Sequence, residues 1–143
     1  MSTRRQWLLA AAALPWAAGA APAEMQAAIQ RYTEGAALRE GRITLEIAPL
    51  VENGNAVPVS VSVADARSPG EQVRSIALFA EHNPAPEVLV FHIGPHLARA
   101  AVSTRMRLAR SQQVVAVARL ADGSALVQRV DVVVTLAACI EGV

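Results

Sequence analysis

The sequence is poor in several residue types, and each shortage excludes a class of structure or function. Its 143 residues include one cysteine, no lysine, two tryptophans, one tyrosine and two phenylalanines. A single cysteine cannot form a disulfide within its own chain. Thirteen arginines are balanced by twelve acidic residues, which gives no reason to expect nucleic acid or an anionic membrane surface as a partner. With so few aromatics, the core must be built mostly from Val, Ile, Leu and Ala.

The first 23 residues have the features of an export signal. Paired arginines at positions 4–5 precede an Ala-rich apolar run over residues 8–21, and residues 21–23 form a small-x-small cleavage site. The arginine pair resembles a twin-arginine address, which predicts a periplasmic protein with no membrane contact after cleavage. A retained membrane anchor is the alternative, but the run is shorter than the ~20 residues of a spanning helix and Pro15 interrupts it.

Cleavage near Glu24 would change the composition of the remaining chain. Eleven arginines would then face twelve acidic residues, for a net charge near −1, and both tryptophans would be removed. About 120 residues suffice for one domain with a single core, and not for two.

The mature chain has the alternating polar and apolar pattern of β-strands, separated by turn formers such as residues 53–55 (Asn-Gly-Asn) and 121–124 (Ala-Asp-Gly-Ser). Only residues 24–38 look helical, with a stop at Gly41. The predicted strands cover residues 42–47, 57–63, 73–81, 88–93, 101–109, 114–119 and 125–136.

Seven short strands with regular turn signals predict an all-β fold, an immunoglobulin-like antiparallel sandwich with a short N-terminal helix and a flexible C-terminal arm. A small closed barrel is the alternative. The predicted organisation is a signal peptide (1–23), an N-terminal helical segment (24–41), the sandwich (42–136) and the arm (137–143). The apolar face of the helix consists of Met25, Ile29, Tyr32 and Ala36.

No set of residues in the sequence points to catalysis or to a metal or other cofactor. His92 and His96 are separated by Gly-Pro, which rules out a helical pair, and no third ligand accompanies them. Ser103 and Thr104 lack a histidine–carboxylate pair placed by the sequence. Four arginines could form a basic patch, although a solvated sheet face explains them as well: Arg105, Arg107, Arg119 and Arg129.

The cysteine, Cys139, is the fifth residue from the end of the chain and follows the last predicted strand after two alanines. It could be a small buried hydrophobic residue or form an intermolecular disulfide. Residues 136–139 also match a lipoprotein cleavage box, but such a box must follow an N-terminal signal. Its position instead favours a thiol presented to another molecule. No arginine or histidine adjoins it in sequence, and Glu141 lies two residues away, so the ordinary thiol pKa near ~8.5 is the expectation.

Four segments give the chain a resemblance to SoxY, the sulfur-carrier subunit of the periplasmic thiosulfate-oxidising Sox system. They occur in the family's order along the mature chain, and the twin-arginine signal agrees with the family. The segments are residues 53–59 (NGNAVPV), 81–86 (EHNPAP), 102–109 (VSTRMRLA) and 114–117 (VVAV).

This resemblance implies a non-catalytic carrier. Family members form a heterodimer with the sandwich subunit SoxZ and carry sulfur intermediates between partner enzymes on a cysteine at the tip of a C-terminal arm, a position that corresponds to Cys139. The nearly all-apolar residues 114–118 suit a surface covered by such a partner, although burial within the monomer would produce the same pattern. An exported interaction or scaffold module without carrier activity is the alternative function.

The arm differs from the family pattern, in which glycines flank the cysteine on both sides. Alanine restricts φ more than glycine does, and a β-branched residue adds bulk beside the thiol, so we expect a stiffer and thicker arm. The sequence resembles a SoxY-related branch with an Ala-Ala-Cys-Ile-Glu arm. The flanking arm residues here are Ala137, Ala138, Ile140 and Glu141.

Overall fold

The computed structural model describes residues 20–138, which contain one α-helix, nine strands and a 3₁₀ turn at Pro69–Glu71. None of the helices among these residues is long and apolar enough to cross a membrane. The elements are α1 (Ala20–Thr33), β1 (Leu38–Arg39), β2 (Ile43–Glu46), β3 (Leu50–Asn53), β4 (Val57–Val63), β5 (Val73–Ala80), β6 (Glu87–His92), β7 (Ala100–Met106), β8 (Gln112–Leu120) and β9 (Ala125–Leu136).

The strands form two sheets packed face to face. The larger sheet has the order β1-β9-β8-β5-β6, with β3 also paired to β9, and the smaller has the order β2-β4-β7. Alternation in β4 directs four valines inward and leaves Pro58 exposed, as expected for a strand with one buried face. The prediction of a mainly β sandwich with one helix is therefore confirmed. The inward valines are Val57, Val59, Val61 and Val63.

Helix α1 covers the outer face of the larger sheet. Met25, Ala28 and Ile29 are buried against residues of β5, β8 and β9 in a second apolar cluster, separate from the core between the sheets. In β8, Val115 and Val117 belong to the helix side, and Val114 and Ala116 belong to the core. Burial within this chain on both faces accounts for the apolar run in β8, so that run gives no support to a partner surface.

The helix ends earlier than predicted. It stops at Thr33, whose hydroxyl donates a hydrogen bond to the Ile29 carbonyl over 2.9 Å, and Glu34 and Gly35 then adopt positive φ of 55° and 76°. The Gly35 N–H donates to the Gln30 carbonyl over 3.0 Å. Helices commonly end in this way, with a glycine in the left-handed backbone conformation just after the last turn. The predicted helix to residue 38, with its stop at Gly41, is wrong because this earlier glycine already ends it.

Two strands were missing from the prediction, and both pair parallel with β9. Strand β1 pairs Leu38 with Ala125, and β3 pairs Leu50 with Val133. The other pairs are antiparallel, as predicted. These two strands have only two and four residues, too few to show a period, and their partner lies more than 80 residues away. The finer assignment to the immunoglobulin-like class stays a prediction.

Tyr32 anchors the end of the helix to the sheet. Its hydroxyl is 2.6 Å from Ser75 Oγ, its ring meets Phe79 edge-on at 5.8 Å between centroids, and the Arg119 guanidinium lies 5.8 Å from the ring centroid. Arg119 also contacts Glu34 at 3.2 Å. Burial raises the pKa of Tyr32 above its usual value of 10.0, against the lowering effects of Ser75 and Arg119.

This raised pKa makes the fold sensitive to alkali. The unfolded chain ionises Tyr32 near pH ~10 while the folded chain keeps the proton, so stability is fully present below pH ~10 and is lost as the pH rises above it. Urea unfolding between pH 9 and 11 should show this loss in the parent chain and not in Tyr32→Phe. The chain has no lysine and no other tyrosine, so the Cys139 thiol, the same in both proteins, is the remaining side chain that titrates there. A tyrosinate absorbance midpoint at or below pH 10 in the folded chain would contradict the prediction.

Candidate functional site

The structure describes the root of the predicted carrier arm and not its tip. Cys139, Ile140 and Glu141 lie outside the described residues, while Ala137 is exposed and Ala138 is buried at 8% exposure. The predicted thiol therefore follows directly in the chain after a residue fixed within the domain. The roles predicted for Cys139 and the arm residues stay predictions.

Three backbone segments meet at this root. The Gly54 N–H donates to the Leu136 carbonyl over 2.8 Å, the Leu108 N–H donates to the Gly54 carbonyl over 2.8 Å, and the Ala138 N–H donates to the Leu108 carbonyl over 3.1 Å. Gly54 lies in the β3–β4 turn, and Leu108 lies just after β7. These bonds fasten the chain beyond β9 to two separate connections of the sandwich. The predicted arm boundary at residue 137 stays a prediction, and Ala138 is hydrogen-bonded to the sandwich.

Gly54 occupies the centre of this arrangement with no room for a side chain. A Cβ atom placed on it would lie 2.5 Å from the Leu108 carbonyl oxygen, 3.0 Å from the Ala138 nitrogen and 3.1 Å from Val134 Cγ1. Contacts shorter than 3.0 Å essentially never occur for a real Cβ, so the neighbouring backbone would have to move. Glycine is required here because the neighbouring backbone segments approach too closely to leave room for a Cβ atom.

Side chains hold the end of β9 on both of its edges. The Val134 N–H donates to Ser111 Oγ over 2.8 Å on one edge, and Thr135 Oγ1 donates to the Glu52 carbonyl over 3.2 Å on the other. The Ser111 bond continues the β8–β9 ladder beyond residue 112, where β8 begins, and the Thr135 bond reinforces the pairing with β3. The strand that leads to Cys139 is thus fixed up to its last residue.

The fold brings two arginines close to the root that the linear sequence does not place there. Arg107 and Arg110 are exposed and flank Leu108, whose carbonyl accepts the Ala138 N–H. Asn83 fixes this connection, because its amide donates to the Arg107 carbonyl over 2.8 Å and its oxygen accepts the Ala109 N–H over 3.1 Å. The signal that could have indicated this contact is Asn83, a hydrogen-bonding side chain within the polar connection 82–86.

The other candidate residues do not form a site. His92 ends β6, His96 lies in the following turn, and residues 20–138 contain no group of three His, Cys, Asp or Glu that could hold a metal ion. The four candidate arginines are divided between the sheets: Arg105 is on β7, Arg107 lies beyond the end of that strand, and Arg119 and Arg129 are on β8 and β9. Arg105, Arg107 and Arg129 are exposed, as on a solvated sheet face, whereas Arg119 is partly buried against Tyr32 and paired with Glu34.

Comparison with known proteins gives one family and several similar folds. Residues 29–139 match the family model of the sulfur oxidation protein SoxY. The structure of the sulfur carrier protein SoxY from Chlorobium limicola f thiosulfatophilum is 25% identical with a TM-score of 0.66, and the match covers 79% of this chain and 93% of that one. No curated protein sequence gives a significant match.

Superoxide reductases share the fold at lower identity. The superoxide reductase (neelaredoxin) from Ignicoccus hospitalis is 21% identical with a TM-score of 0.55, over 66% of this chain and 80% of that one. A putative superoxide reductase from Thermotoga maritima is 16% identical with a TM-score of 0.54, over 72% of this chain and 89% of that one. At these identities the likeness concerns the sandwich fold alone.

Proposed function

The chain belongs to the SoxY family, and on that premise we propose that it is a non-catalytic sulfur carrier whose covalent attachment point is Cys139. One observation carries the proposal: the family match spans residues 29–139 and so extends to this cysteine. The similar protein from Chlorobium limicola is described as a sulfur carrier. A thiol next to a root fixed by backbone hydrogen bonds suits a carrier.

The chemistry of loading requires only a reactive thiolate and a sulfur donor. In exchange with a donor RS–SX, the Cys139 thiolate attacks the SX sulfur, a new S–S bond forms, the donor S–S bond breaks and RS⁻ leaves. The thiol proton passes to solvent, and no external oxidant is needed. Unloading reverses this exchange on an acceptor thiol or consumes SX in a partner enzyme.

The electrostatics of the root favour anionic sulfur groups. Arg107 and Arg110 flank the residue whose carbonyl binds Ala138, and Ala138 is bonded directly to Cys139 in the chain. A sulfonate or thiosulfonate on the thiol would be attracted by these two positive charges, and water and salt would screen that attraction. The arginines would help to select the adduct without binding it strongly.

The remaining parts of the proposal concern location and partners. The twin-arginine signal supports export to the periplasm, and family membership supports a heterodimer with a SoxZ-like sandwich subunit that serves sulfur-oxidising enzymes. The Ala-Ala-Cys-Ile-Glu arm supports a SoxY-related branch whose enzymes accept a bulkier arm than the glycine form. The scaffold alternative retains the partner and assigns no role to the thiol.

Purification from the periplasmic fraction of cells oxidising reduced sulfur compounds tests this proposal. Intact mass should show a chain beginning near Glu24 that carries sulfur adducts, and reduction with dithiothreitol should remove those bound through disulfides. Peptide mapping should place the adducts on Cys139, and a SoxZ-like subunit should copurify. The matched Cys139→Ala chain should show the unmodified mass and the same copurifying subunit. A parent chain with no adduct under these conditions would favour the scaffold alternative and overturn the carrier proposal.

A further inference from the structure

We propose that Gly54 is a positioning residue for the carrier arm: through backbone hydrogen bonds it locks the arm root, residues 136–138, to the domain. The inference deepens the proposed carrier function and rests on it. Gly54 lies 85 residues before Cys139 in the chain, and no contact between the two segments was expected from the sequence.

The lock is a continuous run of backbone hydrogen bonds. From the arm, the Leu136 carbonyl accepts from Gly54, the Gly54 carbonyl accepts from Leu108, and the Leu108 carbonyl accepts from Ala138, at 2.8, 2.8 and 3.1 Å. Gly54 is buried, Leu108 is fully buried, and Ala138 is 8% exposed, so water competes weakly for these groups. The two bonds of the root, at Leu136 and Ala138, thus depend on Gly54 itself and on Leu108, which is bonded to Gly54.

Only glycine allows the two connections to approach this closely. The nearest atoms to a Cβ at Gly54 would be the Leu108 carbonyl oxygen and the Ala138 nitrogen, which are the acceptor and donor of the bond that closes the lock. Both are backbone atoms, so neither can turn away as a flexible side chain would. A methyl group at this position would separate the Leu108 segment from the arm.

The lock determines how far the thiol reaches. With Ala138 held, Cys139 is the first residue of the chain beyond the hydrogen-bonded root. If the bonds at Leu136 and Ala138 open, residues 137 and 138 join the arm and add about 7 Å to its extended length. A partner with a shallow site suits the locked arm, and one with a deep site requires the lock to open.

Amide hydrogen exchange and spin labelling of the unloaded mature chain test the lock without sulfur chemistry. The Ala138 amide should be protected in the parent chain, and Gly54→Ala should reduce its protection by about tenfold or more, as expected for the loss of one such bond. A nitroxide on Cys139, the only cysteine, should gain mobility in the same variant. The matched control is Gly94→Ala, because a Cβ at Gly94 meets nothing within 4 Å. It should leave both readouts unchanged.

A second variant covers the case in which Gly54→Ala fails to fold. Ala138→Pro removes the donor of the last bond and fixes φ at that residue, while Leu108 keeps its own bond to Gly54, so the nitroxide should gain mobility while the Leu108 amide stays protected. An unprotected Ala138 amide in the parent chain, or unchanged nitroxide mobility in both variants, would overturn the lock. Adducts on Cys139 together with no lock would contradict this inference alone, and a lock without adducts would contradict the carrier function alone.

Discussion

Replacing Phe79 by alanine should lower the free energy of unfolding by about 3–5 kcal/mol, a large part of the ~5–15 kcal/mol that a domain of this size possesses. Phe79 is fully buried in β5 on the face covered by α1, where its ring contacts Tyr32. Alanine would leave a cavity between the helix and the sheet that Val115 and Val117, fixed in a central strand, cannot fill. Urea unfolding followed by circular dichroism measures the change as a lower midpoint at constant slope.

The other phenylalanine of the chain provides the matched control. Phe91 lies in β6, at the edge of the larger sheet, and is only partly buried. Phe91→Ala removes the same atoms but should cost clearly less, because the Phe91 ring buries less apolar surface in the folded chain than the Phe79 ring does. Equal losses in the two variants would show that α1 does not seal the outer face of the sheet as described.

The sequence was most informative where a strand has one wet face or a strong turn beside it. Strands β4 and β9 have the predicted bounds, 57–63 and 125–136, because valines at every second position of β4 set one face and the Asp-Gly turn sets the start of β9. In that turn Gly123 has a φ of +85°, and Asp122 Oδ1 accepts from the Ser124 N–H over 2.9 Å. Such signals are local, so they can be recognised without knowing the partner strand.

The features that depend on distant partners could not be predicted in the same way. Strand β3 has the burial pattern of a short edge segment and exists because β9 offers it a parallel ladder. The apolar run in β8 was ambiguous between a partner surface and two-sided burial, and only the position of α1 decides between them. The arm root was missed for the same reason, since Gly54, Leu108 and Ala138 meet only in the folded chain. The motif at residues 53–59 marked the position by family resemblance and gave no physical reason for its glycine.

Replacing Leu108 by alanine should cost about 2–5 kcal/mol and should loosen the arm root as well, which connects the stability of the domain to the placement of the thiol. The Leu108 side chain is fully buried in the core between the sheets, while its N–H and carbonyl bond Gly54 and Ala138. Removing the side chain leaves these backbone groups in place but takes away the packing that holds them in position.

The control for this variant is Leu136→Ala, which removes the same side chain from one end of the bonded run in which Leu108 is an inner member. Leu136 is 61% exposed, although its carbonyl accepts from Gly54 over 2.8 Å, so truncation should change the free energy of unfolding by less than about 0.5 kcal/mol. Urea midpoints give the stability of each variant, and exchange of the Ala138 amide gives the state of the root. If Leu136→Ala lowered the free energy of unfolding as much as Leu108→Ala, the root would depend on contacts of the exposed Leu136 side chain. If Leu108→Ala lost stability but kept full Ala138 protection, the lock would not depend on core packing, and the fold and the carrier arm would be uncoupled at this point.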